Sequence, residues 1–332
     1  MAMSVLVTGG AGYIGSHMVW ALIDADEDVV VVDRLSTGFD WAVAPEAKFI
    51  QADIADTALL EEIIVRHGVD AIIHFAGSVV VPDSVTDPLA YYQNNTVNSL
   101  GVIRTAVKCG VKSIVFSSTA AVYGTPAGNA PVRESDPLRP ESPYGVSKLM
   151  TELMLRDASA AHDLRYVALR YFNVAGADPR GRTGQSTRGA THLIKVAVEA
   201  ALGKRSHVEV FGFDYPTRDG TCIRDYIHVS DLVAAHLRAL DYLRGGGESL
   251  VANCGYGRGY TVLEVLDTVR RARGNDFRVV MGARRTGDTV SIVADATKAR
   301  EILEWRPEHD SLEEIVTGAL AWEEALARRN QI

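Results

Sequence analysis

Tyr144 and Lys148 stand four residues apart in the stretch SPYGVSKLM, Ser142 to Met150. Pro143 suits the first turn of a helix, where its missing N–H costs nothing. A helix opening there puts the phenol and the amine one turn apart on one face. On its own, such a pair is an ordinary solvated surface contact. A free phenol titrates near 10 and is a poor base at neutral pH. A neighbouring ammonium and a positively charged ligand ring would both favour phenolate. Ser117, Ser118 and Thr119 close the run SIVFSST, and their hydroxyls are expected to hold a substrate oxygen beside the phenol. Hydroxyl, phenol and amine together describe a proton-transfer site for alcohol–ketone chemistry, which needs a hydride acceptor beside it.

The start of the chain supplies a place for one. In VTGGAGYIGSH, Gly9, Gly12 and Gly15 follow an apolar strand and open a helix. Glycines at that junction let the backbone approach a pyrophosphate, and the helix N-terminus offers free N–H groups and positive potential. Asp33 ends the second strand, where an acid binds the adenosine ribose hydroxyls and repels a 2′-phosphate. That favours NAD over NADP, although the adjacent Arg34 is of the type that attracts such a phosphate. Ala52 to Ile54 and His74 to Gly77 end the next two strands, at the carboxyl edge where such sheets bind ligands.

The elements that must position these groups follow a rhythm. Apolar runs SVLV, VVVV (Val29 to Val32), KFIQA, AIIHF, SIVFSS and RYVALRYF (Arg165 to Phe172) alternate with helical stretches. Those helices are expected at about Ile14 to Ala25, Leu59 to Arg66, Leu89 to Lys108, and at the Tyr-Lys segment. Apolar strands alternating with helices imply an α/β fold with a doubly wound parallel sheet covered on both faces. After Phe172 the rhythm breaks into a long Gly- and Arg-rich loop. Helices follow near His192 to Leu202, Asp231 to Leu243 and Val262 to Arg271, with strands at VEVFG and RVVMG. Residues 1–173 are expected to form a Rossmann core, and residues 174–332 mainly a smaller C-terminal α/β substrate lobe with segments returning to the sheet. A formal net charge of −8 argues against generalised nucleic-acid binding. Cys109, Cys222 and Cys254 are scattered and no HxxxH or Cys/His cluster occurs, so no metal site is expected. No stretch approaches the roughly 18 apolar residues of a membrane helix, and a cytoplasmic protein is the expectation.

Together the glycine fingerprint, Asp33, SST, YGVSK and RYFN resemble the extended short-chain dehydrogenase/reductase superfamily. More closely, HFAG, YYQNN, FSSTAAVYG, SPYGVSK, RYFNVAGA, DYPTRDGT, RDYIHVSDL, RRTGD and ADATKA are similar to UDP-glucose (UDP-galactose) 4-epimerases, from Val5 to Trp322. The resemblance implies that Tyr144 takes the proton of the sugar 4-hydroxyl while NAD accepts the C4 hydride. The 4-keto sugar then turns about its diphosphate tether and is reduced on its other face. It further implies that Thr119, Tyr144 and Lys148 are catalytic. Tyr13, Ile14, Asp33, Asp53, Ile54, Phe75, Ala76, Gly77, Asn94, Ser117, Lys148 and Phe172 would line the cofactor site. Asn173, His192, Leu193, Phe211, Arg224, Arg285 and Asp288 would hold the UDP-sugar, with guanidinium forks on its phosphates.

Several positions depart from the family pattern. Thr119 replaces a serine but keeps the hydroxyl, and His192 stands at an asparagine position. SVVVPDS lacks a lysine common after HFAG, and GDTVSIVAD lacks the proline usual after GD. Ile292 falls where side-chain size bears on N-acetylated sugars, and its medium branched shape implies a preference for plain hexoses. Sister 4,6-dehydratases carry an Asp-Glu pair after the threonine, where this chain has Ala120 and Ala121, so dehydration is disfavoured. A UDP-pentose epimerase and a non-catalytic NAD-binding sensor are the other readings. The family resemblance also implies a homodimer, through the helix before SIVFSS and the Tyr-Lys helix. Leu149, Met150, Leu153, Met154 and Ala158 form an apolar stripe there that suits either a partner or the core.

Overall fold

The computed structural model describes residues 3–128, 130–285 and 288–329. Thirteen strands are found among them: β1 Ser4–Thr8, β2 Asp28–Asp33, β3 Lys48–Gln51, β4 Val69–His74, β5 Ser113–Ser117, β6 Arg165–Tyr171, β7 Asn173–Ala175, β8 Val208–Phe211, β9 Ile223–His228, β10 Leu250–Cys254, β11 Gly259–Thr261, β12 Val279–Gly282 and β13 Ser291–Ile292. The helices are α1 Tyr13–Asp24, α2 Thr57–His67, α3 Val81–Thr86, α4 Pro88–Tyr91, α5 Asn98–Cys109, α6 Pro143–Ala161, α7 Leu193–Ala201, α8 Val229–Arg244, α9 Val262–Arg273, α10 Thr297–Ile302 and α11 Leu312–Arg329.

Seven strands form one parallel sheet in the order β10-β6-β5-β4-β1-β2-β3. β1 and β5 are buried along their whole length, which is why their sequences are apolar without alternation. On one face, Met18, Val19 and Leu22 of α1 pack with Leu232, Ala235, Ala239 and Leu243 of α8. On the other, Leu60 and Ile63 of α2 meet Val102, Ile103 and Ala106 of α5, together with Leu155 of α6. Because β2 and β4 flank β1 on opposite sides, the chain runs outward in two directions from β1. That leaves a crevice at the carboxyl ends, the usual ligand position of this sheet type.

Local sequence sets the ends. Asp56 caps α2 by accepting from the Leu59 N–H, and Gly68 closes that helix at φ 61°. Ser142 caps α6 by accepting from the Gly145 N–H, with Pro143 at the first helical position. The long helix expected from Leu89 to Lys108 differs in form. It is α4, then a π-helical turn over Tyr92–Val97, then α5. The wide turn places Asn94 and Asn95 over the sheet edge, where Asn95 takes both backbone groups of Ser78.

The remaining elements form a smaller body beside the carboxyl edge. β9 is its centre, pairing with β7, β11 and β13, while β8 and β12 form a separate parallel pair. Ile194, Ala197 and Val198 of α7 pack with Val265 and Val269 of α9 and with Ile315 and Val316 of α11.

Candidate active site

The glycine turn is a cradle closed to side chains. A Cβ at Gly15 would meet the Gly9 carbonyl oxygen at 2.1 Å, and one at Gly9, whose φ is +74°, would meet the Ala76 nitrogen at 2.7 Å. Gly12 starts α1 with no side-chain cap, so the first turn of the helix presents its N–H groups to the crevice. Gly38 belongs to the same cradle and escaped the sequence reading. A Cβ there would sit 2.6 Å from the Ala11 carbonyl carbon. Asp33 accepts from Ala11 N–H at 3.0 Å and Leu35 N–H at 2.7 Å, which fixes its carboxylate at the tip of β2. Arg34 is turned aside into a 2.9 Å ion pair with Asp53. Asp53 also accepts from Ala55 N–H, and these bonds lower its carboxyl below the usual range. The site therefore fits NAD: the cradle admits a pyrophosphate, and Asp33 has lone pairs left for a ribose diol.

Other expected cofactor residues cluster around this edge in different ways. Phe75 and Ala76 follow β4, their N–H groups both donating to the Thr8 carbonyl. Ile54 is buried in the core on the α2 and α5 face of the sheet, and Ile14, in the first turn of α1, packs against the core on the other face. Asn94 donates to the Ser78 hydroxyl at 2.9 Å. Phe172 is buried against Ala120, Val122, Tyr123 and Ala294. Tyr13 opens α1 directly after Gly12. Its hydroxyl donates to the Gly176 carbonyl at 2.7 Å, so its ring spans toward the smaller body.

Tyr144 and Lys148 are both buried, on one face of α6 as their spacing requires. Thr119 hydrogen-bonds the Tyr144 phenol and also accepts from Ala121 N–H at 3.1 Å. Lys148 Nζ donates to the Ser117 carbonyl at 2.9 Å and lies over the Phe116 ring. A Cβ at Gly77 would come within 3.8 Å of that nitrogen and 3.0 Å of Asn95 Oδ1, so these groups converge at the cradle. Two expectations change. Of the three hydroxyls, Thr119 is the one paired with the phenol, because Ser117 donates to Tyr171 and Ser118 to Glu152. Burial also pushes the Tyr144 phenol above its ordinary value in the protein alone, with the Thr119 bond acting the other way. Lys148, drawn down to about 8 by burial with Glu152 acting upward, does not by itself reverse that.

The expected sugar-nucleotide residues fall into two adjoining groups. Asn173, His192 and Leu193 line a cavity of ≈ 30 Å³ together with Tyr13 and Tyr226. Burial lowers the His192 imidazole, which favours the neutral ring. Two residues along β9 from Tyr226, Arg224 donates to the Ile223 and Thr289 carbonyls. Asp288 stands between two guanidiniums, 3.6 Å from Arg224 and 3.0 Å from Arg285, and Arg285 covers the Phe211 ring at 4.5 Å. Thr286 and Gly287 of the RRTGD stretch lie outside the described residues. Asn95 and Glu152 were not foreseen. The signals were a second asparagine beside Asn94 and an acid one helical turn after Lys148. Among the described residues, no group of three or more His, Cys, Asp or Glu gathers as a metal site, and no helix is long and apolar enough to cross a membrane.

Residues 5–255 match the model of the NAD dependent epimerase/dehydratase family. The UDP-glucose 4-epimerase of Azospirillum brasilense is 56% identical over 97% of this chain and 92% of its own length. The crystal structure of UDP-glucose 4-epimerase from Brucella ovis in complex with NAD superposes with a TM-score of 0.93 at 42% identity, covering 97% of this chain and 98% of that one. The UDP-Glc/GlcNAc 4-epimerase of Campylobacter jejuni is 46% identical with a TM-score of 0.85, over 98% of this chain and all of that one.

Proposed function

The chain belongs to the NAD dependent epimerase/dehydratase family, and from that premise we propose that it interconverts UDP-glucose and UDP-galactose by inverting C4, with Tyr144 as the base. The Azospirillum relative, 56% identical across nearly the whole chain, supports the substrate assignment. The observation that carries the mechanism is the buried Tyr144 phenol hydrogen-bonded to Thr119 beside the glycine cradle. When bound, NAD supplies the acceptor and donor for the C4 hydrogen and a positive charge on its nicotinamide ring. Tyr144 receives the proton of the 4-hydroxyl as the sugar becomes a 4-ketone, and returns it once the sugar has turned over. Thr119 orients the 4-oxygen and stabilises the phenolate by its hydrogen bond. Lys148, held by the Ser117 carbonyl, keeps an ammonium at the base of the site. Arg224 and Arg285 grip the diphosphate by taking the place of their contacts with Asp288. Ala120 and Ala121 offer no carboxylate for elimination of water. The protein acts as a homodimer, an assembly that the exposed Met150 and Leu153 on α6 support.

The test is conversion of UDP-galactose by the NAD-loaded protein, read as UDP-glucose by NMR. Tyr144→Phe is expected to lower kcat by at least about 100-fold, in the range for losing a general base, while leaving NAD bound. An unchanged rate in that variant would sink the mechanism, and no conversion by the wild type would sink the function.

A further inference from the structure

Glu152 lies one turn beyond Lys148 on α6, and its carboxylate is buried together with the Arg170 guanidinium on β6. Arg170 grips both carboxylate oxygens, Nε to one at 3.0 Å and Nη2 to the other at 2.6 Å. The Ser118 hydroxyl donates to the first of those oxygens. On one side of Ser118 is Ser117, whose carbonyl accepts from Lys148; on the other is Thr119, which pairs with Tyr144. One carboxylate thus ties the end of β5 to α6 and β6 directly behind the reacting groups. Arg170 Nη1 also donates to the Tyr123 hydroxyl at 3.1 Å, and that hydroxyl donates to Asn253 on β10.

A buried ion pair is weak evidence for stability, because well-packed apolar residues in its place are often neutral or better. What a forked pair with a third bond does supply is fixed geometry. Resting on the reading of Tyr144 and Lys148 as the reacting pair, we propose that Glu152 is a positioning residue. It holds Ser118, and through it Ser117 and Thr119, at the separation from α6 that Lys148 and Tyr144 require. It also acts electrostatically. The groups facing Lys148 are Tyr144 and Glu152 on its own helix, His74 at the end of β4, and Arg170 behind Glu152. Burial and Lys148 together push the His74 imidazole down to about 3, so it is neutral. Burial lowers the Lys148 amine to about 8, and Glu152 is the group that opposes this.

The experiment compares wild type, Ser118→Ala and Glu152→Gln for kcat and KM on UDP-galactose. It also follows the Lys148 titration by NMR of 15N-lysine-labelled protein. Ser118→Ala leaves the ion pair intact. Its kcat is expected to fall about tenfold with KM within about twofold, since it loosens geometry needed in the transition state. Its Lys148 midpoint stays at the wild-type value. In Glu152→Gln the anion is gone, and the Lys148 midpoint is expected to drop by about one pH unit. The alkaline fall in kcat moves down with it. A wild-type kcat in Ser118→Ala overturns the proposal, as does an unmoved Lys148 midpoint in Glu152→Gln. If Glu152→Gln does not fold, Ser118→Ala decides. If the wild type does not epimerise, the functional reading fails, while the Lys148 titration still tests the role of Glu152.

Discussion

On the proposed function, a single side chain is expected to bear on how large a sugar the site prefers. Ile292 on β13 packs against the cluster of Ala120, Val122 and Phe172, one residue beyond Thr119. The Campylobacter jejuni relative is a UDP-Glc/GlcNAc 4-epimerase, so scaffold likeness does not decide the range and the pocket wall must. Pocket volume differing by a methylene or two changes discrimination by about 10- to 200-fold. UDP-galactose is therefore expected to turn over with a kcat/KM at least about tenfold above that of its N-acetyl counterpart, and Ile292→Ala should narrow the gap. Product NMR on both substrates checks this, and equal rates in the wild type would refute the preference. The same scale shows what residue types concealed. Ser117, Ser118 and Thr119 are alike as sequence, and alternation along a strand end sends them to different partners: Tyr171, Glu152 and Tyr144.

Among the elements, the β1–α1 junction is the one whose backbone must come closest to a ligand and to itself. In Gly15→Ala the new methyl would overlap the Gly9 carbonyl oxygen, a backbone atom that cannot swing aside. Relieving such a clash by moving α1 costs about 1–3 kcal/mol. The variant is expected to lose about that much stability in denaturant titrations and to retain little NAD on purification. Gly128→Ala meets nothing within 4 Å and should change neither. A Gly15→Ala protein that binds NAD like the wild type would contradict this account of the turn. That junction was legible because its constraints are local: three spaced glycines, an apolar run before them and a helix after. β1, β2, β4, β5 and β6 were legible for a related reason, since burial on both faces writes each as an apolar run, while β3, at the sheet edge and only partly buried, was legible from Phe49 and Ile50 alone. β9 was not. Its sequence IRDYIH carries Asp225, fully buried and drawn up to about 6 by that burial, with Tyr256, Gly257 and Ala294 N–H groups donating to it. Those donors come from remote parts of the chain, so nothing adjacent in sequence announces a strand. α11 is different again. Leu312, Ile315, Val316 and Leu320 hold helical spacing and are buried, a signal the sequence contained.

For the whole molecule, the apolar stripe of α6 divides. Leu149 packs with the Phe172 cluster, and Met154 and Ala158 pack on the sheet. Met150 and Leu153 remain 40% exposed each. The Thr96 hydroxyl reaches the Met150 sulfur at 3.8 Å, so the neighbouring helix lies alongside. On that helix Val97 and Leu100 are also exposed. Periodicity could not separate these roles, because a helix that faces both a core and a partner carries apolar residues on two adjoining faces. Isolated exposed apolar side chains are ordinary, but a contiguous set across two packed helices marks an interaction surface. Its self-complementary use by two copies would be a closed two-fold contact, the commonest symmetric arrangement. Light scattering is therefore expected to give twice the 35.9 kDa chain mass. Leu100→Glu combined with Leu153→Glu places like charges across such a contact and should return the monomer mass. α6 also carries Tyr144 and Lys148, so the dissociated variant is expected to lose activity through a looser helix while its glycine cradle still takes NAD. A wild-type mass of one chain would remove the dimer from this account and leave the chemistry of α6 standing.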